Sequence, residues 1–175
     1  MALVSRSSHL VAAAVLGISC VAGAATASAH QSLAPVWATT KAKTVNLTIV
    51  AAYDDTTGGF NFNGASNGKM TITVPLGDRV NVTFSNNAPL PHSAQFVAFS
   101  KTPPATSVLD AFTGAHSPSP TTGVMKGTTQ KFSFVANKAG TYLLICAVPG
   151  HDVAGMWDVL TVSKTAKAAS VVVHE

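Results

Sequence analysis

The chain has 175 residues, a length typical of one domain, and only 10% of them are charged. The formal net charge is +4, and the lysines stand singly instead of in runs. This pattern lacks the basic stripe with interleaved aromatic residues that nucleic-acid binding requires, so no nucleic-acid partner is expected.

Residues 1–29 are predicted to be a signal peptide. Arg6 supplies a positive start, residues 10–25 form an apolar run, and Ala27-Ser-Ala29 is a small-residue cleavage signal. Cleavage would place the mature chain in the periplasm or another extracytoplasmic space. The alternative is an uncleaved membrane anchor, because an apolar stretch of about 20 residues is just long enough to span a bilayer.

Cleavage would also remove Cys20 and leave Cys146 as the single cysteine. A lone cysteine outside the cytoplasm is buried, paired between chains, or a metal ligand. The new N-terminal residue would be His30, whose amine and ring could chelate copper if another histidine lay nearby.

The mature chain begins with an arm, residues 30–43, whose Trp37 is expected to pack on the domain. Residues 44–164 then alternate apolar and polar side chains with a period of two, which predicts strands. We expect about eight of them, separated by turn signals, in an antiparallel Greek-key β-sandwich. The predicted strands cover residues 45–50, 60–64, 70–74, 79–84, 92–99, 129–135, 141–146 and 156–163.

Two segments of the mature chain fall outside this pattern. The connection 101–127 is long and Pro-rich, with one helical turn expected near residues 108–112, and we interpret it as functional or as a covering flap. Residues 165–175 form a C-terminal tail. No internal repeat and no second domain are visible, and a monomer is expected.

The loop between the last two predicted strands carries three side chains typical of metal ligands. Cys146, His151 and Met156 are separated by four residues each. A thiolate, an imidazole and a weak thioether suit a copper ion that cycles between Cu⁺ and Cu²⁺. The missing second imidazole is predicted to be His92, which begins a strand directly after Pro91. The four residues would then hold one copper ion.

Each of these residues also has an ordinary structural interpretation. Met156 could fill a core, Cys146 could be a small buried hydrophobe, and the two histidines could lie in a turn and at a strand end. The joint pattern on a predicted β-sandwich favours the copper site over these separate interpretations.

Across residues 44–164 the chain resembles the cupredoxins, or blue copper proteins. Its C-x4-H-x4-M loop is longer than the C-x2-H-x4-M loop of plastocyanins and is similar to that of rusticyanins and sulfocyanins. The closest resemblance is to sulfocyanins, through four further motifs, at residues 60–68, 91–93, 148–151 and 155–157.

The resemblance implies a type 1 copper site formed by His92, Cys146, His151 and Met156. It further implies a single-electron carrier, not an enzyme, in an extracytoplasmic respiratory chain. The expected partners are redox proteins such as a cytochrome or a terminal oxidase. Membrane association is expected only if the N-terminal segment is uncleaved.

Neighbouring residues are predicted to tune this site. Pro149 has no N–H and cannot donate a hydrogen bond to the Cys146 sulfur, which we expect to raise the potential. Ser93 is expected to hydrogen-bond near the cysteine loop. His151 is expected to be the ligand at the solvent edge, and Asp152 is expected to add a carboxylate to an otherwise apolar rim.

Three other function classes account for less of the sequence. Copper enzymes with this fold need H-x-H pairs for a second copper site, and the chain has none. A copper chaperone or storage protein with the cupredoxin fold is the main alternative, although Met-rich and His-rich tracts are absent. A binding module without metal would leave the Cys146–Met156 loop unexplained.

Overall fold

The computed structural model describes residues 36–174, which fold as a β-sandwich of nine strands in two sheets. The predicted signal peptide lies outside the described residues. Within residues 36–174 no helix is long and apolar enough to cross a bilayer. The strands are β1 Ala38–Lys41, β2 Thr44–Ala51, β3 Met70–Pro75, β4 Arg79–Asn86, β5 Gln95–Ala98, β6 Thr129–Val135, β7 Gly140–Ile145, β8 Trp157–Ser163 and β9 Ser170–Val173.

The first sheet has the order β1-β2-β4-β6 and the second has the order β5-β7-β8-β3-β9. The pairs β2–β4 and β3–β8 are parallel, and the other neighbours are antiparallel. Because side chains alternate across a strand, one face of each sheet supplies the core. Val45, Leu47 and Ile49 of β2 are buried, whereas Asn46 between them is exposed. The all-β sandwich expected from the sequence is confirmed, but the expectation that its strands are antiparallel is wrong at the pairs β2–β4 and β3–β8.

Strands extend into both segments that the sequence left outside the domain. β1 lies in residues 30–43 and pairs with β2, and β9 lies in residues 165–175 and pairs with β3. Trp37 packs edge-to-face on Tyr53, with ring centroids 5.1 Å apart. The arm and the tail are therefore edge strands where they are described.

The strand predicted at residues 60–64 is wrong. Thr56–Gly59 forms a 3₁₀ turn, and Phe62 makes only isolated bridges. Asn63 has a φ of 53°, a left-handed conformation that interrupts an extended strand. The Asn61 and Asn63 side chains satisfy nearby backbone groups instead, with Asn63 Oδ1 accepting from the N–H of Val50 at 2.6 Å.

The connection 101–127 covers the free edge of β5. Isolated bridges join Val97 to Asp110, Gln95 to His116, and His92 to Val124. The helical turn predicted near residues 108–112 is wrong, because Asp110 is extended in its bridge with Val97. Because these are single bridges in an irregular segment, no periodic pattern in the sequence predicts them. The strand predicted at residues 92–99 is shorter in the structure, where β5 begins only at Gln95.

Candidate metal centre

The loop 146–156 is closed by its own backbone hydrogen bonds at one end of the sandwich. The N–H of Cys146 donates to the carbonyl oxygen of Met156 at 3.1 Å, and the N–H of Met156 donates to that of His151 at 3.0 Å. Gly150 and Gly155 turn the chain with φ values of 86° and 105°, which disfavour other residues. The loop therefore brings the backbones of the three predicted ligands together at one end of the sandwich.

His92 reaches the same point from the segment before β5, the strand that pairs with β7. Its N–H donates to the carbonyl oxygen of Val124 at 3.1 Å and its carbonyl oxygen accepts from the N–H of Val124 at 2.8 Å. Gly123 packs so closely here that a Cβ would lie 2.8 Å from the His92 carbonyl oxygen. The covering loop thus fixes the backbone of His92, which is 1% exposed.

Three donor atoms converge at the centre of the site. Cys146 Sγ lies 3.7 Å from His92 Nδ1 and 3.4 Å from His151 Nδ1, and the two Nδ1 atoms are 3.2 Å apart. No other group of three His, Cys, Asp or Glu residues among residues 36–174 is arranged to hold a metal. Met156, at the end of the same loop, is fully buried and belongs to the same buried cluster as Cys146.

The donor set fits copper. Two imidazole nitrogens and one thiolate, with a thioether close in sequence, are the ligands of blue copper sites. Cys146 is a free, buried cysteine, so its sulfur is available as a ligand. Two imidazoles turned toward each other through the same ring nitrogen leave lone pairs facing a shared centre, which a metal ion would satisfy.

Burial sets the protonation of all three groups. It lowers the pKa of His92 to about 4, with the neighbouring His151 as a second cause, and it lowers the pKa of His151 as well. Both rings are therefore held neutral, the form that binds a metal. Burial also raises the pKa of the Cys146 thiol, against smaller opposing effects of hydrogen bonds from Ser93 and Val148. A bound metal must displace that thiol proton.

Ser93 lies between the ligand strand and the cysteine loop. Its N–H donates to Cys146 Sγ at 3.4 Å, and its hydroxyl donates to the carbonyl oxygen of Pro120 at 2.6 Å while accepting from the N–H of Ala147 at 3.0 Å. Pro149 is exposed and gives the sulfur no hydrogen bond, whereas the backbone N–H of Val148 helps to lower the pKa of the Cys146 thiol. The sulfur therefore keeps the N–H of Ser93 as a backbone donor despite the proline.

The solvent edge of the site is apolar. His151 is half-buried, whereas Val153, two residues after it, is 58% exposed and Leu90, two residues before His92, is 50% exposed. The sequence suggested that Asp152 adds a carboxylate to this rim. That prediction is wrong, because the side chain of Asp152 is fully buried. Its Oδ1 accepts from the N–H of Val153 at 2.8 Å, and burial raises the pKa of its carboxyl group.

Two further residues shape the site without having been singled out from the sequence. Phe60 packs edge-on against His151 and His92, with ring centroids 5.0 and 6.0 Å apart. Asn86 is buried and its amide donates to the carbonyl oxygens of Leu90 and Val124, each at 2.7 Å. The only sequence signal for Asn86 is an amide that precedes the Pro-rich turn before His92.

Comparisons with known proteins agree with this geometry. The model of the sulfocyanin (SoxE) domain matches residues 32–173. The chain belongs to the sulfocyanin family. The sulfocyanin of Sulfolobus acidocaldarius is 33% identical over 138 residues, a match that covers 75% of this chain and 69% of that protein.

Solved structures resemble the fold of this sulfocyanin-family chain. A rusticyanin is 24% identical with a TM-score of 0.51, over 71% of this chain and 80% of that one. Auracyanin B is 24% identical with a TM-score of 0.49, over 67% and 88% of the two chains. Sulfocyanins are blue copper electron-transfer proteins, not enzymes, and the cofactor of this family member is one copper ion.

Proposed function

We propose that this protein carries single electrons in an extracytoplasmic respiratory chain, with its copper ion held by His92, Cys146, His151 and Met156. The observation that carries the proposal is the buried triangle of two Nδ1 atoms and one Sγ, with separations of 3.2 to 3.7 Å. When bound, copper supplies a one-electron couple between Cu⁺ and Cu²⁺.

Hydrogen bonds and packing within the chain hold the ligand residues in one geometry. His92 is fixed by its two hydrogen bonds to Val124, and Cys146 is fixed by its bond to Met156. Phe60 lies edge-on against both imidazole rings and shields part of their surface from water. A rigid, dry site needs little rearrangement when its charge changes, which favours electron transfer over catalysis at an open coordination position.

Electrons are proposed to enter and leave through His151. Its ring is half-buried, whereas His92 is closed off from solvent. The exposed side chains of Leu90 and Val153 provide an apolar contact surface beside it, on which a redox partner such as a cytochrome or a terminal oxidase would dock. We further propose a monomer located outside the cytoplasm, where such a chain operates.

The test is electron exchange with respiratory membranes of the source organism. The wild-type protein should be reoxidised by those membranes, and Val153→Glu should slow the second-order rate roughly tenfold or more, because a carboxylate would have to be desolvated in the contact. Val172→Glu is the matched control, since Val172 is 49% exposed on β9. Equal rates for both variants would remove the apolar rim from the proposal, and no reoxidation would remove the respiratory role.

A copper chaperone or storage protein remains the alternative use of the same ligands. Such a protein must release its ion, so the copper-loaded protein would transfer copper to a chelating acceptor within the time of a mixing experiment. The burial of His92 and Cys146 supports slow release instead.

A further inference from the structure

Strand directions place the ligands at one end of the sandwich and a set of cations at the other. Cys146 follows β7 and Met156 precedes β8, so the metal centre lies where those two strands meet. The opposite ends of the strands carry six of the chain's basic residues, and all six are exposed. They are Lys41, Lys43, Arg79, Lys138, Lys164 and Lys167, which we call the basic pole.

Backbone contacts hold the segments of the basic pole together. Thr44 pairs with Arg79, and Arg79 pairs with Val135, so these strand ends form one row of the first sheet. The turn between β3 and β4 ties the second sheet to the same end, because the N–H of Leu76 donates to the carbonyl oxygen of Ser163 at 2.9 Å and the N–H of Gly77 donates to that of Ala136, after β6, at 2.8 Å. The six cations therefore belong to one surface and not to separate faces.

No exposed carboxylate among residues 36–174 balances the basic pole. Asp78, the acidic residue in its loops, is buried with 6% exposure. The exposed pair Asp54 and Asp55 follows the end of β2 that lies toward the metal centre. The described surface is thus more strongly polarised than a net charge of +4 suggests.

An exposed apolar residue lies among the cations of the basic pole. A shallow groove of about 430 Å³ runs between the turn after β1 and the segment after β8, and Lys43, Lys164 and Lys167 line it together with Pro75, Leu76 and the mostly buried Asp78. Leu76 is 39% exposed at the tip of its turn. Lysines can lay their aliphatic stems beside such a residue while their ammonium groups reach outward.

We propose that the basic pole binds the surface of an anionic membrane, with the metal centre facing away from it. Diffuse cations around an apolar tip suit a plane of anionic headgroups, where each lysine or arginine contributes independently. A single phosphate would instead need donors that converge on one point, and these cations come from separate loops. The orientation would leave the His151 edge free to meet a redox partner.

The test is partitioning of the copper-loaded full chain onto vesicles. Wild-type protein should bind mixed phosphatidylcholine–phosphatidylglycerol vesicles more tightly than pure phosphatidylcholine vesicles. The triple variant Lys43→Gln, Lys164→Gln, Lys167→Gln should lose roughly tenfold or more of the binding to anionic vesicles. The matched control is Lys69→Gln, Lys126→Gln, Lys131→Gln, which removes the same charge from exposed lysines outside the pole and should lose less than threefold, on the order of the general charge effect.

Salt and a second polyanion complete the test. Residues 1–35 are common to all the proteins compared, so the difference between the two triple variants reports on the pole alone. About 1 M NaCl, where the Debye length is about 3 Å, should abolish the preference for anionic vesicles. Equal losses in both variants, or no preference for anionic vesicles, would overturn the proposal. Retention on immobilised polyglutamate without vesicle binding would also overturn it and assign the pole to an acidic protein.

Discussion

Asp158 gives the sharpest test of how burial controls charge in this fold. Its side chain is fully buried on β8, its Oδ1 accepts from the N–H of Met70 at 2.8 Å, and its Oδ2 has no partner. Burial raises the pKa of this carboxyl group from 3.8 to about 8. The folded protein therefore holds a proton here that the unfolded chain releases above pH 3.8.

The sign of the pH effect follows from that proton. The stability that the protonated carboxyl group contributes is complete below pH 3.8 and is lost as pH rises toward 8. At about 1.36 kcal/mol for each pKa unit, the loss reached at pH 8 would be about 5 kcal/mol, and about 2 kcal/mol where water relaxes around the ionised group. Asp158→Asn keeps an acceptor for Met70 and cannot ionise.

We therefore expect Asp158→Asn to have little effect on the free energy of unfolding at pH 4 and to stabilise the protein by about 2 to 5 kcal/mol at pH 8. Urea unfolding of the metal-free protein at a series of pH values measures this. Asp55→Asn, which removes an exposed carboxylate, is the control and should give a nearly flat difference. A difference for Asp158→Asn that does not grow with pH would refute the reasoning.

Three further predictions concern the residues that hold the metal centre. Ser93→Ala should lower the free energy of unfolding by about 2 to 3 kcal/mol, because it leaves the buried N–H of Ala147 and the carbonyl oxygen of Pro120 without partners. A loss below about 0.5 kcal/mol in chemical unfolding would mean that water replaces the hydroxyl. In metal-free Asp158→Asn, which lacks the opposite pH effect of Asp158, the free energy of unfolding should fall by up to about 3 kcal/mol between pH 6.5 and pH 4, because the lowered pKa of His92 means that unfolding takes up a proton there. A flat profile of that variant would contradict this. Gly123→Ala should destabilise the protein and alter the copper absorption, because its Cβ would collide with the backbone of His92. The control Gly127→Ala has a similar φ and no neighbour within 4 Å, so it should show only the backbone strain of about 1 kcal/mol. Equal effects of the two variants would show that contact with His92 is unimportant.

Much of the fold could be predicted because its strands are half-buried. Val45, Leu47 and Ile49 alternate with polar residues, and that period of two is the physical consequence of one face packing inward. The same argument works for β4 and β8. It fails at Phe60–Gly64, where alternation of Phe and Asn reflects asparagine side chains bonding to backbone, not a ladder of strand pairs.

The metal centre could be predicted only in part. The spacing of Cys146, His151 and Met156 is visible in the sequence because one loop carries all three. Finding His92 required the expectation of a sandwich that brings a distant strand end to that loop. The burial of the Asp152 side chain could not be predicted, because polar character alone places a loop carboxylate on the surface. Only the packing of the loop shows that this carboxylate is buried.

The surrounding contacts could not be predicted because they depend on tertiary packing. Gly123 and Pro120 reach His92 and Ser93 from an irregular loop that shows no period. The basic pole has the same origin: its lysines stand far apart in the sequence and share a surface only because the strand ends meet there.

The most direct test of the copper assignment is the absorption spectrum of the oxidised, copper-loaded protein. Wild type should show an intense band in the red from thiolate-to-copper charge transfer, because Cys146 Sγ lies within 3.7 Å of both Nδ1 atoms. Cys146→Ser should abolish the band while the protein stays folded, as judged by its circular dichroism. A colourless copper-loaded wild type, or a band that survives Cys146→Ser, would contradict the assignment.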